Sequence, residues 1–304
     1  MSAITIGMIA AWALAIGLLA AYAAMVMSEV TYVTLADGRK QVRALPVIFK
    51  LLLPFAGNFN RLLSKPAFAK QVKAADAMLV SAGFEGLLNG REFVALKFLV
   101  PIAMGTLWSM FILTLAAMLE GSMIDELKPM LCMLGYVLMY AQPMMWLRNA
   151  LKKRHWEITK ALPFVLDVLT LSVEAGMDFI SALQRNCSAR KMDALNEELL
   201  RMTKEIQVGQ SRRDALRRMA DRVNHTDLRS VSFALIQADE LGVSIGTILR
   251  IQSEQLRSRR FDRAEKLANE APTKMIFPLM LFIFPAVFII LIVPVLMQAT
   301  RSMH

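Results

Sequence analysis

The sequence predicts an all-α integral membrane protein with four transmembrane helices and a cytoplasmic bundle of six helices. Hydrophobic residues make up 56% of its 304 positions, which exceeds the share of about 45–50% found in typical soluble domains. Four apolar windows are each long enough to cross about 30 Å of hydrocarbon as a helix. Between the third and fourth windows, apolar residues recur at helical spacing without a competing strand pattern.

The four apolar windows define the predicted spans. They lie at residues 4–27, 98–119, 129–147 and 275–298. The first has no basic residue before it and is longer than the apolar core of about 7–15 residues in a signal peptide, so we interpret it as a retained span. The windows divide the chain into a first transmembrane helix (1–27), a basic helical region (28–97), a transmembrane hairpin with a short outer loop (98–147), the bundle (148–274), and a last transmembrane helix with a short outer tail (275–304).

The distribution of charge predicts the side on which each loop lies. Residues 28–91 carry nine basic groups against four acids, and the bundle region is basic at both of its ends. Loops rich in Lys and Arg next to a span stay in the cytoplasm. The short loop between the second and third spans holds three acids and one Lys, which indicates the outer side. Both termini are therefore expected outside, with residues 28–97 and 148–274 in the cytoplasm.

The net charge of +10 is explained by these positions beside the spans, which face anionic lipid headgroups. The sequence has no pattern of aromatic residues interspersed with basic ones, which is typical of proteins that bind single-stranded nucleic acid. Membrane lipids are therefore expected as partners, and nucleic acid is not.

Capping residues and glycines predict where each helix of the bundle begins and ends. We expect six helices: from Glu157 to Gly176, from the N-cap Asp178, from near Asp193 to Gly209, from the N-cap Ser211, from the N-cap Thr226 to Gly242, and from Ser244 to about residue 270. Pro163 is assigned to a first turn, where a missing N–H costs little. Residues 46–91 show a weaker helical pattern, and whether they pair with the bundle stays open.

The sequence shows no arrangement of residues typical of catalysis or of cofactor or metal binding. The histidines are scattered without further ligands nearby, at His155, His225 and His304. The two cysteines have no metal-binding spacing, and no phosphate-binding loop sequence occurs. The adjacent carboxylates Glu197 and Glu198 do not face each other on a helix and are interpreted as solvated charge. We therefore expect neither an enzyme nor a cofactor.

Transport of a small molecule is the alternative from a different functional class. The four windows contain no Asp, Glu, Lys, Arg or His. Such residues usually form the ion relays and substrate sites of membrane transporters. Their lack disfavours a transporter.

Four sequence blocks within residues 150–298 resemble a known family. They are "ALPFVLDVLTLSVEAGMDFISAL", "GQSRRDALRRMADR", "LIQADELGVSIGTILRIQSEQLRSRRFDRAEKLA" and "APTKMIFPLMLFIFPAVFIILIVP". In this order they resemble the type II secretion system F domain. The segments "QADELG" and "RSRRFDRAEKLANEAPTK" are similar to those of the TadC-type platform proteins of the tight-adherence (Flp) pilus. One such domain and four predicted spans also fit this type. The TadB-type sister platform protein of the same machine stays open as an alternative.

The resemblance implies a scaffold of the bacterial inner membrane without catalytic activity. It implies that the chain sits above a hexameric secretion ATPase and helps pilin move from the membrane into a growing pilus. The implied partners are that ATPase, the sister platform protein and pilin. Homo- or hetero-oligomers are expected, because four spans are too few for an obvious conduit.

The resemblance also points to individual residues. Positions with a structural role in the family motif are Pro163, Asp167, Gly176, Gly209, Gly242, Lys274 and Pro278. Positions that either pair between helices or face a partner are Glu174, Glu240, Arg257, Arg260 and Glu265. The sequence leaves the choice between these two roles open. It also leaves open whether the charged stretch before the last span is a rigid helix that transmits motion or a simple tether.

Overall fold

The computed structural model describes residues 32–34, 40–42, 45–59, 63–118 and 123–302. The predicted first span at 4–27 and the centre of the predicted outer loop at 119–122 lie outside the described residues, as does His304. The described elements are the strands β1 (Tyr32–Thr34) and β2 (Lys40–Val42) and the helices α1 (Val47–Ala56), α2 (Pro66–Ala82), α3 (Gly90–Met118), α4 (Met123–Glu174), α5 (Phe179–Ala189), α6 (Ala194–Gln207), α7 (Arg212–Val223), α8 (Thr226–Leu241) and α9 (Ile245–Ser302). The fold is helical almost throughout this part of the chain.

A short antiparallel ribbon departs from the all-α expectation. Strands β1 and β2 pair with Tyr32 opposite Val42 and Thr34 opposite Lys40. Tyr, Val and Thr favour extended backbone because their side chains pack well on a pleated surface. Three residues per strand are too few to produce a clear period-two pattern, so these strands could not be predicted from the sequence.

Three helices are long and apolar enough to cross a membrane, judged by length and composition. The helical stretches that each contain such an apolar segment are Gly90–Ala117 in α3, Leu127–Glu174 in α4 and Ile245–Pro294 in α9. They contain the second, third and fourth predicted windows apart from short ends. The described residues therefore agree with an integral membrane protein, while the first predicted span lies outside them.

Helices α3 and α4 fit together through two glycines that each make room for an aromatic ring. A Cβ added to Gly105 would lie 2.4 Å from Tyr136 Cδ1, and one added to Gly135 would lie 2.0 Å from Trp108 Cδ1. The indole Nε1 of Trp108 donates to the carbonyl of Leu131 at 3.1 Å. Small residues that let helices approach closely are typical of helix packing in membranes.

A first hydrophobic core joins α1 and α2 to the beginning of α3 and the middle of α4. Its fully buried side chains include Phe49, Phe93, Leu96 and Leu147. Residues 46–91 thus form helices with a core of their own. They also contact the bundle, because Ser81 Oγ donates to the carbonyl of Arg222 at 3.0 Å.

A second core is built by the C-terminal half of α4, by α5 to α8 and by the beginning of α9. Its fully buried side chains include Ile158, Leu183, Leu195, Met202 and Leu249. The helix ends at Gly176, Gly209 and Gly242 have φ of +91°, +100° and +66°. Glycine adopts this left-handed conformation without a steric penalty. These turns let consecutive helices fold back on the shared core.

Two helices are longer than the sequence indicated. Helix α4 runs unbroken from the apolar segment into the bundle, so Pro163 lies in its interior and not in a first turn. Helix α9 continues from the bundle to Ser302 over 58 residues, about 87 Å at 1.5 Å per residue. No glycine interrupts either junction, and Lys, Arg, Glu, Leu and Ala are strong helix formers. Helix α9 also continues through Pro272, just before its apolar window. Helix α8 also differs, because its N-cap is His225 and not Thr226.

Candidate functional site

Arginines of α9 bind the flanking helices α4 and α8 along the outside of the bundle. We call this set the arginine seam, and it consists of Arg250, Arg257, Arg259, Arg260 and Arg263 with their partners. Arginines farther along α9 contact residues nearer the N-terminus of α4, so the two helices run antiparallel. The basic run that stands out in the sequence is therefore engaged within the chain.

The first contact of the seam joins Arg250 to Glu174 at the end of the bundle farthest from the apolar segments. Arg250 Nη2 lies 2.7 Å from Glu174 Oε2, and Nε donates to Oε1 at 3.0 Å. The hydrogen bond to Glu174 raises the pKa of Arg250, so the guanidinium stays charged. Glu174 thus makes an interhelical pair. Exposed pairs of this kind contribute little to stability, so its main effect is orientation.

The second contact joins Arg257 to Asp167. Arg257 Nη2 lies 2.5 Å from Asp167 Oδ2, and the buried Ser253 hydroxyl donates to Asp167 Oδ1. Asp167 therefore receives two bonds from successive turns of α9. A carboxylate held by a cation and a hydroxyl fixes the register of the two helices more firmly than one ion pair would.

The third contact depends on the proline inside α4. Pro163 has no N–H, so the carbonyl of Thr159, four residues earlier, loses its normal helical donor. Arg260 Nη2 donates to that carbonyl at 2.6 Å and to the carbonyl of Lys160 at 2.9 Å. A buried or half-buried backbone carbonyl needs such a partner. Pro163 and Arg260 therefore act together: one frees an acceptor, and the other supplies the donor.

The fourth contact joins α9 to the first turn of α8. Asp227 is buried, and its carboxylate lies 3.0 Å from Arg259 Nη1 and 3.6 Å from Arg263 Nη2. An acid in the first turn of a helix is also favoured by the helix dipole. The seam thereby holds α9 from two sides, by α4 and by α8.

Two histidines meet beside the seam. The rings of His155 and His225 are 5.1 Å apart and nearly perpendicular. His225 Nδ1 accepts from the backbone N–H of Leu228 at 3.3 Å, and its Nε2 lies 2.8 Å from Thr159 Oγ1. Burial, and then the neighbouring His155, lower the pKa of His225, while Asp227 opposes the shift. The neutral ring caps α8, which is a structural role that the sequence did not indicate.

A buried ion cluster joins α4, α6 and α7. Arg154 lies 2.7 Å from Glu198 and 3.0 Å from Glu197, and Arg222 lies 2.8 Å from Glu198 and 3.0 Å from Glu205. Glu198 is only 4% exposed. The interpretation of Glu197 and Glu198 as solvated charge was wrong.

Helical spacing could have revealed the buried acid. Glu198 lies three residues after Leu195 and four before Met202, on the same face as these buried residues. The cluster extends outwards to Glu85, whose carboxylate accepts from Arg201 Nη1 at 2.5 Å. That hydrogen bond lowers the pKa of Glu85 and raises that of Arg201. The helices of residues 46–91 are thus tied to α6.

The remaining motif residues have different surroundings. Glu240 lies 3.6 Å from Arg213, and Lys274 Nζ lies 3.0 Å from Glu270 within α9. Glu265 is exposed and has no ion pair among the described residues. Pro278 lies inside α9. Of the acids that the sequence singled out, Glu174 and Glu240 pair within the chain, and Glu265 faces outwards.

The described residues contain no group of three or more His, Cys, Asp or Glu placed to hold a metal ion. Burial raises the pKa of the Cys187 thiol to about 11, so this sulfur stays protonated and unreactive at neutral pH. What the site does supply is a set of oriented hydrogen bonds and ion pairs that fix α9 against α4 and α8.

Comparison with known proteins shows a similarity over part of the chain. Residues 165–293 match the family model of type II secretion system (T2SS) protein F. No curated protein and no solved structure matches the chain significantly. The matched stretch begins in the bundle part of α4 and ends in the apolar part of α9. It contains all the residues of the arginine seam except Thr159 and Lys160. The matched stretch is less than half of the chain, and it is similar to the type II secretion system protein F family, whose members are inner-membrane proteins.

Proposed function

We propose that the chain is the TadC-type platform protein of a tight-adherence (Flp) pilus machine and couples a cytoplasmic secretion ATPase to the assembly of pilin. The match to T2SS protein F indicates the wider group of platform proteins related to type II secretion and type IV pili. The narrower assignment is supported by the sequence blocks "QADELG" and "RSRRFDRAEKLANEAPTK". Its alternative is the TadB-type sister protein.

The observation that carries the proposal is the continuity of two helices between the bundle and the apolar segments. Both α4 and α9 leave the bundle without a break and continue into segments long enough to span a membrane. The arginine seam fixes these two helices to each other inside the bundle. A force on the bundle would thereby be passed to both membrane segments along continuous helices, which is what a coupling protein requires.

The proposed arrangement has four spans, with residues 4–27 as the first, and a cytoplasmic bundle of six helices below the membrane. Both termini lie in the periplasm. In this arrangement the ATPase acts on the bundle from below, the sister platform protein or a second copy lies beside it, and pilin contacts the spans. The chain itself performs no catalysis.

Labelling of introduced cysteines tests the orientation. Cysteines in place of Ser122 and Ser302 should react with an impermeant thiol reagent in intact spheroplasts, and one in place of Ser188 should react only after lysis. Ser188 is exposed on α5, so burial does not explain its protection. Reaction at position 188 without lysis would refute the cytoplasmic bundle.

Softening α9 between the bundle and the span tests the coupling itself. Leu267 is 65% exposed and Ala264 is also exposed, so changing both to Gly removes little packing. Each Gly costs about 1 kcal/mol of helix propensity. We expect the double variant to reach the membrane at normal abundance and still bind its partners, yet to assemble few or no pili.

The matched control is Leu267→Ala alone, which removes the same side chain and keeps a strong helix former. It should assemble pili normally. Normal piliation by the double Gly variant would show that α9 is only a tether.

Cross-linking and purification of the full chain from its native membrane test the partners. A secretion ATPase and a sister platform protein should be recovered together with it. Recovery of a partner that itself carries the TadC-type sequence blocks would favour the TadB-type alternative, and recovery of neither partner would refute the proposal.

A further inference from the structure

Helix α1 carries one charged residue, Lys50, and is otherwise apolar. Phe49, Leu52 and Ala56 are buried in the first core. On the opposite face, Phe55 is 54% exposed and Val47 is 37% exposed. A helix whose apolar residues extend well beyond its buried face is usually covered by protein or by lipid. Its ten residues are about 15 Å long and therefore cannot cross a bilayer.

Helix α1 lies at the level where the apolar segments begin and end. The ring of Phe49 is 5.0 Å from that of Trp146, which directly precedes Leu147 and the basic Arg148 at the end of an apolar window. The ring of Phe68 in α2 is 6.1 Å from that of Phe98, the first residue of the apolar window of α3. The first core is therefore next to the membrane boundary.

Other side chains at this level have the chemistry of a membrane interface. Lys97 Nζ lies 4.7 Å from the centre of the Tyr140 ring, which is exposed. Trp, Tyr and Lys are enriched where helices leave the hydrocarbon. This places the exposed face of α1 beside headgroups and the upper parts of acyl chains.

Three lysines follow α1 and have no anionic partner within the described residues. They are Lys65, Lys70 and Lys73, and all three are exposed. The acid of the same helix, Asp76, is engaged by the backbone N–H of Gly90 at 2.5 Å. Lysines held at a membrane surface attract the acidic lipids of that leaflet.

We propose that α1 lies in the bilayer interface on the side of the bundle, with Val47, Leu51 and Phe55 among the acyl chains, while Lys65, Lys70 and Lys73 bind acidic phospholipid headgroups. The apolar face of α1 inserts into the bilayer, and the lysines make binding stronger when the lipids are anionic. The site follows from the position of the spans and does not depend on a role in pilus assembly.

A fluorescent reporter on the full chain tests the insertion of α1. In a background with Cys132→Ala and Cys187→Ala, the change Phe55→Cys takes an NBD label, and the protein is placed in nanodiscs of phosphatidylcholine and phosphatidylglycerol. The label should emit at shorter wavelength than in water and be quenched by lipids with a nitroxide on the upper acyl chain. The matched control is Val208→Cys, which replaces an 87% exposed apolar residue between α6 and α7 and should show neither effect.

The choice of lipid tests the lysines. Nitroxide-labelled phosphatidylglycerol should quench the label at position 55 severalfold more than labelled phosphatidylcholine, and Lys65→Gln with Lys70→Gln should bring this ratio close to one. Changing the exposed Arg217 and Arg218 of α7 to Gln removes the same charge elsewhere and should leave the ratio unchanged. Equal quenching at positions 55 and 208 would refute the insertion and mean that another protein covers α1. A ratio unaffected by the lysine changes would refute the headgroup site.

Discussion

Replacing Glu198 with alanine should destabilise the bundle strongly, because this one carboxylate neutralises two buried guanidinium groups. It lies 2.7 Å from Arg154 and 2.8 Å from Arg222, and both arginines are almost completely buried. Breaking a buried ion pair on one side typically costs about 3–5 kcal/mol. Arg154 keeps Glu197 at 3.0 Å and Arg222 keeps Glu205 at 3.0 Å, so we expect the lower end, about 3 kcal/mol. That is a large part of a total stability of about 5–15 kcal/mol.

Thermal unfolding of the full chain in one detergent, followed by far-ultraviolet circular dichroism, measures the effect. For a unit of about 150–250 residues, each kcal/mol shifts Tm by roughly 2–4 °C, so Tm should fall by about 6–12 °C. Glu198→Gln keeps an acceptor without the charge and should fall between the wild type and alanine. Glu265→Ala, on the exposed part of α9, should change stability by no more than about 0.5 kcal/mol. If the two alanine variants unfold at the same temperature, the cluster does not stabilise the fold.

Three further changes address other parts of the molecule. Burial lowers the pKa of His225 in the folded chain, so the unfolded chain binds a proton first as the pH falls. The free energy of unfolding, measured in urea, should therefore be highest above pH 6.5 and decline towards pH 5. His225→Asn keeps a capping acceptor and should flatten this profile. Gly242→Ala places a Cβ on a residue with φ of +66° and should lower the free energy of unfolding by about 1–2 kcal/mol. Gly246 lies in helical backbone, and a Cβ there would have its nearest neighbour atom at 3.5 Å, so Gly246→Ala should be neutral or stabilising by up to about 1 kcal/mol. Gly135→Ala overlaps the Trp108 ring and should lower Tm in detergent by overpacking worth about 1–3 kcal/mol, and adding Trp108→Ala should restore part of that loss; no recovery would argue against this ring–glycine contact.

The sequence was informative where one residue type determines the local structure. Apolar windows identified α3, α4 and α9 as helices that are long and apolar enough to cross a membrane, because that inference needs only length and composition. Ser211 and Asp178 cap their helices through side-chain oxygens that accept backbone N–H groups, which depends only on neighbours in sequence. Local patterns of this kind need no knowledge of the tertiary fold.

The sequence was less informative where a distant residue decides the outcome. Pro163 was assigned to a helix start, yet α4 continues through it, and the carbonyl that it leaves without a helical donor accepts from Arg260, about a hundred residues later. Glu197 and Glu198 are adjacent in sequence, yet their environments differ because Arg154 and Arg222 converge on Glu198. His225 replaces Thr226 as the cap because Thr159 and His155 hold its ring in place. These outcomes require contacts between elements that no window of sequence contains.

The unbroken course of α9 sets a phase relation between the bundle and the last span. Each residue of an α-helix advances the axis by 1.5 Å and turns it by about 100°. Inserting one residue between Arg263 and Met275 would therefore rotate the whole apolar segment by about 100° relative to the arginine seam and move it about 1.5 Å farther from the bundle. Inserting a residue in the turn at Gly209 would change neither quantity. The direction that the apolar segment of α9 faces thus depends on the length of this junction and on where Arg257 meets Asp167.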